Sequence, residues 1–118
     1  MEGFIKLHRR LLDWEWYKDG PTKAVYIHLL LKASWITKNY RGQLVPNGTV
    51  VTTIKELSEE LRLTEQQIRT AINHLKSTKE ITTKSTNKYT LIHIEKWQYY
   101  QCDEERINEA VNKVFQNR

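Results

Sequence analysis

Apolar residues are densest in residues 22–34, where Val25, Leu29, Lys32 and Ala33 share one side of a helical projection. Tyr26, Ile27, Leu30 and Leu31 surround them. A helix apolar around most of its circumference is buried, so this segment is predicted to be the central element of the core. Pro21 stands where proline is favoured, in the first helical turn. Upstream, Leu7 and Leu11 fit one helical turn, whereas Trp14 and Trp16 alternate around Glu15 like extended chain. The pattern predicts a short helix and then an irregular aromatic stretch closed by Asp19-Gly20-Pro21.

Residues 39–42 read as loop. Gln43-Leu44-Val45 and Thr49-Val50-Val51-Thr52 flank Pro46-Asn47-Gly48, an Asn-Gly turn signal between strand-forming runs. The second run leads into Thr53-Ile54-Lys55-Glu56, a capping box that starts a helix with Ile54, Leu57 and Leu61 on its inner face. Arg62-Leu63 ends that helix. Thr64-Glu65-Gln66-Gln67 is a second capping box, and Ile68, Ala71, Ile72 and Leu75 give the next helix its buried stripe. Two β-rich runs follow, residues 80–84 and 88–94, joined by a Ser85-Thr86-Asn87 tip. Asp103 then caps a last helix with Ile107, Ala110, Val111, Val114 and Phe115 on one stripe.

Helix, strand, helix, short turn, helix and two-stranded hairpin is the order of a winged helix-turn-helix. The fold class expected is mainly α with a small β-hairpin (α+β). Residues 1–101 are read as the winged-helix DNA-binding domain, and residues 102–118 as a C-terminal helix for packing or dimerisation. Leu63 has to bury itself between the two short helices for them to cross steeply. That crossing turns the polar face of the second helix outward, shaped for a major groove about 12 Å wide. The bland alternative is a helical hairpin with no ligand.

Charge sharpens this picture. The net charge of +5 and pI of about 9.4 favour a polyanionic partner. Its distribution matters more: residues 69–88 carry Arg69, Lys76, Lys79, Lys84 and Lys88 against the single acid Glu80. Residues 1–20 are balanced. On the second helix, Arg69 can pair with guanine or clamp a phosphate, and Gln66, Gln67 or Asn73 can pair with adenine edges. Thr70 and Lys76 lie on the same outward faces. Thr64 offers its hydroxyl and the first helical amides to a phosphate. In the hairpin, Lys84, Ser85, Thr86, Asn87 and Lys88 form a tip suited to the DNA backbone or minor groove. The alternative is a solvated helix face beside a hairpin whose lysines block edge-to-edge aggregation. His74 adjoins the core stripe and reads as a packed or surface histidine, not as a base reader.

Trp97, Tyr99 and Tyr100 beside Lys96 are expected to pack onto the core, with stacking on single-stranded bases as the alternative. No Gly-rich phosphate loop, metal-ligand set or nucleophile-and-base motif is legible, so neither an enzyme nor a cofactor is expected. The lone Cys102, the absence of a long apolar run and an N-terminus unlike a signal peptide point to the cytoplasm and away from a membrane.

Five segments together carry a family likeness: GFIKLHRRLLDWEWYKD, AVYIHLLLKAS, RGQLV, LSEELRLTEQQIRTAINHLKSTKEI and TTKSTNKYTLIHIEKWQYYQ. They resemble the N-terminal domain of phage replisome organisers, of the DnaD-like winged-helix family, over residues 3–101. The resemblance implies binding to a phage or prophage replication origin and recruitment of a helicase or its loader. It also implies that Gln66, Gln67, Arg69, Thr70 and Asn73 belong to the recognition helix, and residues 84–88 to the wing. Lys79 stands where such proteins often have glycine, which calls for an unusual turn. Larger relatives carry helicase and single-strand functions in a C-terminal domain that these 118 residues do not include. A transcriptional regulator and a protein-interaction winged helix are the alternatives, and homodimerisation is a further expectation.

Overall fold

The computed structural model describes residues 3–101, and the expected helix capped by Asp103 lies outside them. Among these residues the order is a 3-10 turn (Arg9–Asp13), α1 (Gly20–Lys32), β1 (Lys38–Tyr40), β2 (Gln43–Val45), β3 (Thr49–Thr52), α2 (Ile54–Leu61), α3 (Glu65–Ser77), β4 (Ile81–Ser85), β5 (Thr90–Ile94) and α4 (Trp97–Gln101). The class is α+β, with two antiparallel sheets: β1–β2 stands apart, and β3 is added to the expected β4–β5 hairpin.

The helices form for the local reasons that spacing and capping give. Asp19 accepts a hydrogen bond from the Thr22 amide (3.1 Å), and Pro21 occupies the first turn of α1. Val25, Leu29 and Leu30 of α1 are buried, but Leu31 is 57% exposed, so α1 is a one-sided core helix, not an enclosed one. Thr53 caps α2 by accepting from the Glu56 amide (3.0 Å). The reciprocal half of that box is absent, because the Glu56 carboxylate takes the Thr52 hydroxyl at 3.2 Å instead. The second box closes fully: Thr64 Oγ1 accepts from the Gln67 amide and Gln67 Oε1 from the Thr64 amide. Arg62, left-handed at φ 54°, turns the chain between α2 and α3.

The predicted hydrophobic stripes meet as expected. Leu57 of α2 joins Ile68, Ala71, Ile72 and Leu75 of α3, Val25, Leu29 and Leu30 of α1, and the sheet residues Val50, Ile81, Ile92 and Ile94 in one core. Ile54, Leu61 and Leu63 pack half-buried against it. Glu60 of α2 takes Lys32 Nζ at 2.5 Å and His28 Nε2 at 3.2 Å, tying α2 to α1. The Lys32 hydrogen bond holds its carboxyl below the usual glutamate range.

Two expectations about the strands are corrected. Residues 39–42 are not loop: β1 pairs with β2 around a turn at Arg41-Gly42, and both of those residues have positive φ. Positive φ at both central residues matches the twist of the flanking strands. Nor do Gln43–Val45 and Thr49–Thr52 form a hairpin with each other. Gly48 and Thr49 turn their backbone groups to Ser34, with Gly48 N to Ser34 O at 2.7 Å and Ser34 N to Thr49 O at 3.2 Å. β3 therefore joins β5 in a sheet ordered β3-β5-β4, with Thr49 opposite His93.

The junction after α3 contains the unusual turn expected at Lys79. Its φ is +64°, while Lys79 N bonds Lys76 O (3.1 Å) and Glu80 N bonds Leu75 O (2.9 Å). A helix ending through a left-handed residue favours glycine there. Lys79→Gly is expected to raise stability by about 0.5–1 kcal/mol, since an L-residue pays roughly 1–2 kcal/mol in that region. A thermal or urea melt checks this, and a lower midpoint would show that the lysine relieves its own strain.

Candidate nucleic-acid interface

The outward side of α3 follows from its inward side. With Ile68, Ala71, Ile72 and Leu75 buried, the 3.6-residue period leaves Gln66, Arg69, Thr70, Asn73 and Lys76 along one exposed stripe. Gln66 Nε2 donates to Thr70 Oγ1 (3.3 Å). Arg69 Nη2 lies 3.6 Å from Glu65 Oε1, with both side chains more than half exposed. A surface pair of this kind contributes little stability, so a phosphate or guanine can recruit the guanidinium at small cost. Thr64 and Gln67 differ from the rest of the predicted set, because their side chains are spent on each other's backbone amides.

The hairpin β4–β5 also departs from the expected boundaries. Ser85 is not part of the tip: it ends β4, paired with Thr90, and its hydroxyl lies 3.2 Å from Thr90 Oγ1. Lys88, expected in the second strand, belongs to the turn. The turn is organised by Thr86, whose Oγ1 accepts from the amides of Lys88 (3.2 Å) and Tyr89 (3.1 Å). Thr86 is thus a structural member of the tip. The side chains of Lys84, Asn87 and Lys88 are exposed and carry no hydrogen bond or ion pair among the described residues.

What fixes the hairpin relative to α3 is the aromatic stretch near the N-terminus. Trp16 stacks on His74, with centroids 4.2 Å apart and planes 7° apart, and its Nε1 donates to Thr78 Oγ1 at 2.9 Å. Trp14 Nε1 donates to Glu80 Oε1 at 3.0 Å. Thr78 also hydrogen-bonds Glu80. Both indoles therefore grip the short link between α3 and β4, and with it the angle between helix and hairpin. Of the two expected readings, packed or surface, His74 takes the first: its Nδ1 lies 2.9 Å from Thr22 Oγ1 and 3.4 Å from Asp19 Oδ2. Trp97 is buried, Tyr99 is exposed, and Tyr100 makes an edge contact with His8.

Comparison of the chain with protein-family models, with curated proteins and with solved structures returned no match. The site is accordingly read from its own chemistry. No group of three His, Cys, Asp or Glu placed to hold a metal ion occurs among the described residues, and no helix among them is long and apolar enough to cross a membrane.

Beside the Trp14 anchor, a cleft of about 260 Å³ is lined by Tyr26, Leu30, His8 and Glu80. Burial there, assisted by the Glu80 charge, pushes the Tyr26 phenol up to about 12. The neutral phenol is the form that the folded state favours. Its contribution is therefore complete below the unfolded tyrosine value near 10 and is lost as pH rises from there through about 12. Tyr26→Phe should remove a late-titrating phenolate from the ultraviolet titration and lessen the alkaline loss of stability. An unchanged titration would contradict the burial argument.

Proposed function

We propose that this chain is a winged helix-turn-helix that binds duplex DNA. In this reading α3 enters the major groove, and the β4–β5 hairpin lies as a wing on the adjacent backbone. The observation that carries the reading is the pairing of two exposed surfaces through one rigid link. The polar stripe Gln66, Arg69, Thr70, Asn73 and Lys76 is joined, by the Trp14- and Trp16-gripped turn, to a hairpin bearing Lys84 near the end of its first strand and Asn87 and Lys88 in its turn.

Each part has a role. Arg69 serves guanine or a phosphate, Gln66 and Asn73 serve adenine edges, and Lys76, Lys84 and Lys88 neutralise phosphates. The Thr64–Gln67 capping box holds the N-terminus of α3 for approach to a phosphate, its hydroxyl still having a proton to donate. The biological setting we propose is replication initiation at a phage or prophage origin, as the likeness to replisome organisers implies. Recruitment of a helicase or its loader belongs to that same proposal.

Duplex titrations at several salt concentrations, beside the variant Arg69→Ala/Lys84→Ala/Lys88→Ala, test the DNA-binding claim. Mapping the bound site tests the setting: repeats within an origin support replication, and a promoter operator supports a regulator.

A further inference from the structure

The β1–β2 hairpin, whose residues 39–42 resemble loop in the sequence, has no part in the winged-helix scheme above. Its position and charge give it one. Neither Asp nor Glu occurs between Asp19 and Glu56 or between Glu80 and Glu95, so both hairpins are free of acids. Their tips touch: Tyr40, at the end of β1, makes an edge contact with Tyr89 in the β4–β5 turn, with ring centroids 5.3 Å apart. Lys38, Arg41, Lys84 and Lys88 are all exposed on this joined pair.

Arg41 is the telling residue. It sits at φ +49°, a conformation that favours Gly or Asn in a two-residue turn, and its guanidinium carbon lies 5.3 Å from the centre of the Tyr40 ring. Here the strained position carries a cation, and the neighbouring ring steadies it over the junction of the two tips.

We infer that the β1–β2 hairpin is a second arm of the wing, in which Lys38 and Arg41 contact the phosphate backbone of duplex DNA beside Lys84 and Lys88. This rests on the duplex-binding reading above. It enlarges the electrostatic footprint without adding base readout, since phosphate contacts set register and affinity, not sequence choice.

The test is the double variant Lys38→Ala/Arg41→Asn in the full chain. Asn tolerates the left-handed turn, so the variant should melt at or above the wild-type temperature. Its log–log salt slope for duplex DNA should flatten by about 0.9 for each lost contact, which lowers affinity about tenfold or more at about 0.1 M salt. Preference among duplex sequences should not change. A slope and affinity equal to wild type, while Arg69→Ala/Lys84→Ala/Lys88→Ala binds poorly, would overturn the second arm and leave the winged-helix reading intact. Absence of duplex binding by the wild-type protein would overturn both.

Discussion

Gly48→Ala is expected to lower the stability of the fold by about 3 kcal/mol, and its melting temperature by roughly 10–20 °C. A Cβ at this position would lie 2.5 Å from Trp97 Cγ and 2.6 Å from Trp97 Cβ, well inside van der Waals contact. The backbone there has φ +81°, which adds about 1 kcal/mol for any L-residue. Neither side can yield. The Gly48 amide donates to Ser34 O at 2.7 Å, and its carbonyl accepts from the Ile94 amide at 2.9 Å, so the loop is fastened to α1's exit and to β5. Trp97 is 2% exposed and meets Trp35 edge-on at 4.9 Å. Overpacking a well-filled site costs about 1–3 kcal/mol before that backbone strain is added. A urea melt with near-ultraviolet dichroism of the tryptophans reads the effect. A midpoint within a degree or two of wild type would mean that the Trp97 contact is not as close as described.

The same position shows where sequence reasoning reached and where it stopped. Asn47-Gly48 between two apolar runs signals a hairpin turn, and a turn is indeed there. The glycine, however, answers to Trp97, 49 positions further along the chain by the residue numbers, and no local pattern reveals that. The pairing of β3 with β5 is equally non-local. α2 and α3 were legible because their determinants are local: the stripes Ile54, Leu57, Leu61 and Ile68, Ala71, Ile72, Leu75, and the caps Thr53 and Thr64.

The candidate site divides in the same way. The outward stripe of α3 follows from its inward stripe by period alone. The tip of β4–β5 was placed to within a residue or so, the error being that Ser85 pairs in the strand while Lys88 lies in the turn. The roles of Trp14 and Trp16 were not readable, since their partners Glu80 and Thr78 lie more than 60 positions away. Lys38 and Arg41 carry little local signal, because a polar segment without an Asn-Gly turn resembles loop. The signal available was Arg41-Gly42, flanked by residues capable of pairing.

The second large effect concerns DNA. Arg69, Lys84 and Lys88 are exposed and bear no fold-determining contact; the Arg69–Glu65 pair, at 3.6 Å on the surface, contributes little stability. Replacing all three by alanine should therefore leave the melt within about 1 kcal/mol of wild type. Binding is another matter. Two phosphate contacts and one base or phosphate contact would vanish, each worth roughly 1 kcal/mol or more, so affinity for duplex DNA should fall about a hundredfold. The loss should be greatest at low salt, because released counterions supply much of the driving force.

The central claim is most directly tested by fluorescence anisotropy of labelled duplex DNA titrated with the wild-type protein and with Arg69→Ala/Lys84→Ala/Lys88→Ala across a salt series. The account predicts salt-sensitive wild-type binding, and a slope of log affinity against log salt flatter in the variant by about 1.8 where Arg69 contacts a base and about 2.7 where it contacts a phosphate. No wild-type binding, or a variant whose slope and affinity match wild type, would contradict it.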